Sequence, residues 1–336
     1  MPASMPPAGQ PAELWQESLS DLITDPRELA DFLQLDQRLD PAGEQALAQF
    51  PLKVPRAFAE RMEKGNWRDP LLRQVWPSFT EEREAPGFTA DPLRERHYNP
   101  RPGLLHKYRG RVLLIAAPHC AIHCRYCFRR EFNYRENSPA RAEWREAFDY
   151  IRGDASIEEV ILSGGDPLAL GDGQLRWLLE SISGIPHVTT VRIHTRLPVV
   201  IPERVSGELL AMLRGCRQRV AVVVHCNHAQ EIDAPVAAAL NSLHRAGVTL
   251  LNQSVLLQGV NNDAAVISAL SKRLFAENVL PYYLHLPDRV AGTRHFAVTL
   301  EAAEAIMREL QACLPGYLVP RLVREDPGEP AKTRLI

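Results

Sequence analysis

The sequence predicts an α/β fold: a partial (six-unit) βα barrel of parallel strands with a helical N-terminal extension. Short apolar or β-branched runs recur at 112–116, 160–162, 191–195, 220–224, 250–255 and 282–286. Amphipathic, helix-spaced segments alternate with them at 140–151, 173–183, 203–214, 233–246, 263–277 and 300–313. Strands and helices alternating at this spacing imply parallel strands with crossover helices. Polar residues also gather just past the six runs, where α/β barrels assemble their sites. A doubly wound sheet fits the alternation, but no G-x-G-x-x-G opens the first unit. Six units fall short of the eight that close a barrel, which leaves an open, partial one.

The totals set the class. With 336 residues, 45% hydrophobic and 24% charged, the chain reads as a soluble globular protein. Its 39 basic and 41 acidic residues give a formal charge of -2, so charge implies no nucleic acid partner. The longest aliphatic runs, such as 220–224, are too short to span a bilayer. The start, MPASMPPAGQPAE, lacks the basic and apolar regions of a signal peptide. A reduced, cytoplasmic protein is expected, with Cys216, Cys226 and Cys313 as core thiols.

In chain order, the first ten or so residues are Pro- and Ala-rich and read as disordered. Residues 13–73 carry apolar positions at helical spacing, and Asp25-Pro26 marks a helix start. Residues 77–103 are polar and Pro-rich, as a linker or long surface loop would be. This divides the chain into a helical region with its linker (1–103), the barrel (104–315) and a C-terminal segment (316–336).

The first strand leads into C-A-I-H-C-R-Y-C, with Cys120, Cys124 and Cys127 at i, i+4 and i+7. Structural zinc and an ordinary cubane need four protein ligands, so three thiols suggest a cluster with one iron open to an outside ligand. A buried or zinc-binding cysteine group is the alternative. Ser163-Gly164-Gly165-Asp166 follows the second strand and His194-Thr195-Arg196 ends the third. His225-Cys226-Asn227-His228 ends the fourth, Asn252 and Gln253 lie in the fifth, and Asp288 follows the sixth.

The CxxxCxxC spacing followed by Phe128-Arg129 resembles the radical S-adenosylmethionine superfamily. Further stretches narrow the resemblance to lysine 2,3-aminomutases: P-G-L-L-H-K-Y-R-G-R-V-L-L, S-G-G-D-P-L, H-T-R-L-P-V-V-I-P-E-R, H-C-N-H, N-Q-S-V-L-L-Q-G-V-N and D-R-V-A-G-T-R-H-F. That resemblance covers about 104–333. It implies an isomerase using a [4Fe–4S] cluster, S-adenosyl-L-methionine and pyridoxal 5'-phosphate (PLP) to move an amino group from the α to the β carbon. Cys120, Cys124 and Cys127 would hold the cluster. Ser163, Gly164, Gly165 and Asp166 form the glycine-rich segment, whose backbone would pair with the methionyl amino group. His225 and Gln253 match residues near S-adenosylmethionine.

The same resemblance assigns the PLP Schiff-base lysine to Lys332, the end of D-P-G-E-P-A-K-T, where this chain has Glu329-Pro330-Ala331 in place of glycines. Lys107 and Lys272 are the other candidates. Arg111 matches a phosphate contact, with Tyr108 and Lys107 beside it. Arg129 matches the arginine that forks onto the substrate α-carboxylate, with Arg130 adjacent. Asp288 and Glu325 match the acids that receive the lysine ε-ammonium, with Asp326 an alternative to Glu325. Glutamate as substrate would need a cation where Asp288 stands.

The chain stops at Ile336 and has Asp263 where the long aminomutases carry a core cysteine. With W-Q-E-S-L-S-D-L-I-T-D-P near its start, it resembles the short branch that serves (R)-β-lysylation of elongation factor P. The implied partners are free L-lysine and, functionally, elongation factor P with its β-lysine ligase; assembly into a homo-oligomer stays open. A rival class is a non-catalytic Fe–S sensor or binding protein.

Overall fold

The computed structural model describes residues 11–36, 42–134 and 141–336. The Pro- and Ala-rich first ten residues lie outside the described residues. Helix α1 (Pro11–Ser20) leads into β1 (Leu22–Ile23). Helix α2 (Pro26–Phe32) starts at the expected Asp-Pro: the Asp25 carboxylate accepts from the Arg27 amide at 2.8 Å. Pro26 then fills a first-turn position whose amide would have no partner. α3 (Glu44–Gln49), β2 (Val54–Pro55) and α4 (Arg56–Ala59) follow, and β2 pairs antiparallel with β1. This extension is less helical than its apolar spacing predicts. Pro51, Pro55 and Pro70 interrupt the run, and a two-residue ladder takes over part of the tying. Trp15, Leu29, Phe58 and Trp76 are buried in the same apolar cluster as Val112, Leu162 and Ile193, so extension and barrel share one core.

The barrel begins with β3 (Leu104–Tyr108) and β4 (Arg111–Ala117), then α5 (Arg141–Gly153), β5 (Glu159–Gly164), α6 (Asp172–Ser183) and β6 (Thr190–Thr195). It continues with α7 (Leu197–Val200), α8 (Gly207–Arg214), β7 (Arg219–Val224), α9 (Ala234–Arg245), β8 (Thr249–Val255) and α10 (Ala264–Ala276). It ends with β9 (Leu280–His285), α11 (Leu300–Cys313), β10 (Arg321–Arg324) and β11 (Thr333–Arg334). All six expected strands form. From β4 to β10 every neighbouring pair is parallel and follows chain order, which rules out a doubly wound sheet. The sheet therefore holds seven parallel strands rather than six. β10 reads Arg-Leu-Val-Arg, too short and too charged to register as a run. Antiparallel β3 and β11 form the two edges.

The sheet is strongly curled. Laid flat at about 4.8 Å per strand, β3 and β10 would stand roughly 34 Å apart. Instead Lys107 Nζ on β3 lies 2.8 Å from Glu325 Oε1, the residue just after β10. On β6, Val191 and Ile193 are buried in the core while the alternate Arg192 and His194 line the lumen.

Residues 77–103 form an ordered strap rather than a linker. Ser78 and Glu81 make a reciprocal cap, Thr89 bridges to Val290, and Glu81 and Glu95 pair with arginines of the barrel. The polarity of this stretch reflects those ion pairs. Cys226 is buried as expected and Cys216 half-buried, but Cys313 is exposed at the end of α11. Among the described residues no helix is long and apolar enough to cross a membrane.

Candidate active site

Cys120, Cys124 and Cys127 lie on the loop after β4, all half-buried and free. Burial pushes the Cys127 thiol up to about 11 and Cys120 well above its ordinary value. Among the described residues no group of three or more His, Cys, Asp or Glu side chains is arranged to hold a single metal ion. Ligands of a cluster bind different irons and stand wider apart than ligands of one ion. Cys120, Cys124 and Cys127 are three free thiols on one loop, available as cluster ligands.

The N-terminal extension grips this loop. The His123 amide donates to the Lys53 carbonyl at 2.9 Å and the Arg125 amide to the Gln74 carbonyl at 2.8 Å. The buried Arg125 guanidinium donates to Glu81 Oε1 and Oε2 at 2.8 and 2.6 Å, and to the Phe50 and Ala46 carbonyls. Arg130 shares Glu81 at 2.9 Å.

The glycine-rich segment packs on the same loop. Gly164 has φ +109°, and a Cβ on Gly165 would stand 2.3 Å from the His119 carbonyl oxygen. Glycine is thus required by the neighbouring cysteine loop, whatever else approaches it. Asp166 is occupied structurally: it accepts from the amides of Leu168, Arg196 and Leu197 and from Thr195 Oγ1.

Arg129 is buried, with Nε and Nη2 forked onto Glu95 at 2.8 and 2.6 Å. Its Nη1 points to Ser163 Oγ at 3.2 Å and the Gly164 carbonyl at 3.4 Å. Desolvation opposes the Arg129 charge, but Glu95 outweighs it and keeps the guanidinium protonated. Glu95 carries no sequence signal of its own, lying in what reads as a linker.

The barrel lumen holds a cavity of about 230 Å³ lined by Lys107, Tyr108, Arg111, Arg192, His194, Tyr282, Tyr283, Glu325 and Lys332, among others. Glu325 accepts from Lys107 at 2.8 Å and pairs with Lys332. Burial pushes its carboxyl up, but Lys332 and Lys107 outweigh burial and hold it well below the usual range. Asp326 pairs instead with Arg324 and Thr333. Asp288 is coupled to the same charges: burial, then Glu325, pushes it up to about 7. Lys272 is exposed on α10, away from this group. His194 Nε2 is buried without a hydrogen-bond partner, while the Tyr108 hydroxyl lies beside Glu325, and burial together with that carboxylate pushes its pKa up. With cations from Lys107, Arg111 and Arg192, the Lys332 amine held by Glu325 and an unpaired His194 nitrogen, the cavity fits a phosphorylated aldehyde cofactor.

His225 is fully engaged. Nδ1 lies 2.9 Å from the Gln253 carbonyl, which can only accept, so Nδ1 donates and Nε2 accepts from the Tyr126 hydroxyl at 2.7 Å. Burial lowers its pKa to about 4, so the ring is neutral. For Gln253 the backbone carbonyl supplies this contact.

The Radical SAM superfamily model matches residues 114–267. The chain is 48% identical over 324 residues to L-lysine 2,3-aminomutase of Escherichia coli K12, covering 96% of this chain and 94% of that protein. The chain belongs to the lysine 2,3-aminomutase family. L-lysine 2,3-aminomutase of Haemophilus influenzae is 47% identical over 95% of this chain and 94% of its own length. Glutamate 2,3-aminomutase of Clostridioides difficile is 32% identical, over 96% of this chain and 76% of its own length. This aminomutase is therefore an isomerase of the radical S-adenosylmethionine class, and membership implies a [4Fe–4S] cluster, S-adenosylmethionine and PLP.

Proposed function

We propose that this aminomutase converts L-α-lysine to (R)-β-lysine by a PLP-dependent 1,2-amino shift. The observation that carries it is the charge layout. Arg129 is a cation at the cysteine-loop end of the barrel, while two acids, Asp288 and Glu325, lie beside Lys332. A carboxylate at one end and an ammonium at the other match lysine. Glutamate would bring a second anion against the acids.

Cys120, Cys124 and Cys127 would hold the cluster, and Lys332 with Lys107, Arg111 and Tyr108 would hold PLP. When bound, these cofactors supply the hydrogen-abstracting radical and an aldehyde that carries the migrating nitrogen. The protein's part is positioning. Arg129 would orient the α-carboxylate beside Ser163 and Gly164. Asp288 and Glu325 would fix the side-chain ammonium, the latter once Lys332 turns to PLP. His194, neutral because burial holds its pKa well below normal, can share a hydrogen bond there without adding charge.

Supply of β-lysine for elongation factor P modification is the role that the sequence resemblance to the short branch implies. The test is anaerobic reconstitution with labelled lysine, PLP and S-adenosylmethionine. β-Lysine and 5'-deoxyadenosine should form with lysine and not with glutamate. Lys332→Ala should lose both β-lysine and the PLP absorbance band, and equal β-lysine from the variant would remove the anchor. Adding elongation factor P and its ligase should then give a β-lysylated product by mass.

A further inference from the structure

Arg196 follows β6 and has no part in the reading above. Its Nη1 lies 2.7 Å from Cys124 Sγ and 2.9 Å from the Tyr126 hydroxyl. Its Nη2 lies 2.7 Å from Gln74 Oε1 and 3.0 Å from Glu231 Oε2. Both Arg196 and Glu231 are buried. Glu231 is itself pinned by the amides of Asn227 and His228 at 2.9 and 3.1 Å and by Gln74 Nε2 at 3.1 Å. The guanidinium is thus fixed between a carboxylate and a sulfur. Arginine has only donors, so the sulfur accepts, and a sulfur bound to iron keeps lone pairs for such a bond.

We infer that Arg196 is a positioning residue that acts on the cluster through Cys124, its charge-assisted hydrogen bond favouring the reduced state, with Glu231 setting how much positive charge the sulfur feels. The inference rests on the reading of Cys120, Cys124 and Cys127 as cluster ligands. Reduction adds one electron from an external low-potential donor and transfers nothing else. The added charge spreads onto the sulfurs, so a cationic donor stabilises the reduced cluster more than the oxidised one. Gln74 extends the contact to the N-terminal extension.

The experiment is a redox titration of the anaerobically reconstituted full chain, followed by electron paramagnetic resonance, without S-adenosylmethionine or substrate. Arg196→Lys replaces the planar fork with a single ammonium. It should lower the ratio of reduced to oxidised cluster about tenfold at fixed potential, a shift of about 59 mV to more negative values for one electron. Glu231→Gln removes the opposing charge and should shift the midpoint the other way. A merely structural tie would move neither midpoint or both in one direction, and either result overturns the inference. If Arg196→Lys takes up no iron, Glu231→Gln decides alone, an unmoved or more negative midpoint overturning it. Loss of iron from both variants also overturns it, because the pair would then build the loop rather than tune it. Absence of an iron–sulfur signal in the parent would instead remove the cluster reading itself.

Discussion

Asp288 feels the charges of Glu325 and Lys332, and burial followed by Glu325 pushes its carboxyl up to about 7. Below that pH it is protonated and offers an incoming ammonium little attraction; above it the carboxylate is ionised. Lysine binding through Asp288 should therefore strengthen as pH rises from 6 to 8, with KM falling about tenfold as the ionised fraction grows. Asp288→Asn should flatten that profile and raise KM, and a parent profile flat over the same range would remove Asp288 from the ammonium site. At the other end, the Arg129 fork is held by Glu95. A substrate carboxylate has to compete for it, so Glu95→Gln should lower the KM for lysine several-fold; a raised KM would make Glu95 a support instead. The two residues differed in how legible they were. Asp288 follows a strand end and sits in D-R-V-A-G-T-R-H-F, a stretch carrying a resemblance. Glu95 is one of several glutamates in a polar, Pro-rich stretch, and nothing in its spacing points to an arginine 34 residues on.

At the scale of elements, the strap and the cysteine loop are one construction. Glu81 is shared by Arg125 and Arg130, and all three side chains are almost wholly out of solvent. Removing one partner of a buried ion pair costs about 3–5 kcal/mol, because the other charge stays buried. Glu81→Gln leaves two arginines in that state. A melting temperature lower by several degrees, with reduced iron uptake on reconstitution, is expected by calorimetry and iron assay. Unchanged values would mean that the carbonyls of Phe50 and Ala46 hold Arg125 unaided. Strands β4, β5 and β7 were readable as near-continuous apolar runs, and β6 by its alternation of buried apolar with lumen-facing polar residues. In the extension the helices are shorter than the apolar spacing suggests, because that spacing registers burial but not the prolines that cut a helix short.

For the whole molecule, chain order read from the alternation gave the parallel succession of strands, but not the closure. The contact that draws the sheet's edges together joins Lys107 to Glu325 across 218 residues, and no local pattern records such a pairing. Glu325 also holds Lys332, in the segment that leads into β11, so one carboxylate fastens both margins of the curled sheet. Glu325→Gln keeps the shape of the side chain and removes the charge that both lysines answer. Amide hydrogen exchange should then speed up in Leu104–Tyr108 and Thr333–Arg334, the two edge strands. The central strands β6 and β7 are hydrogen-bonded on both sides and buried in the main core, so their exchange should not change. Faster exchange throughout would mean that Glu325 supports global stability. No change at the edges would mean that packing around the lumen keeps the barrel curled without it.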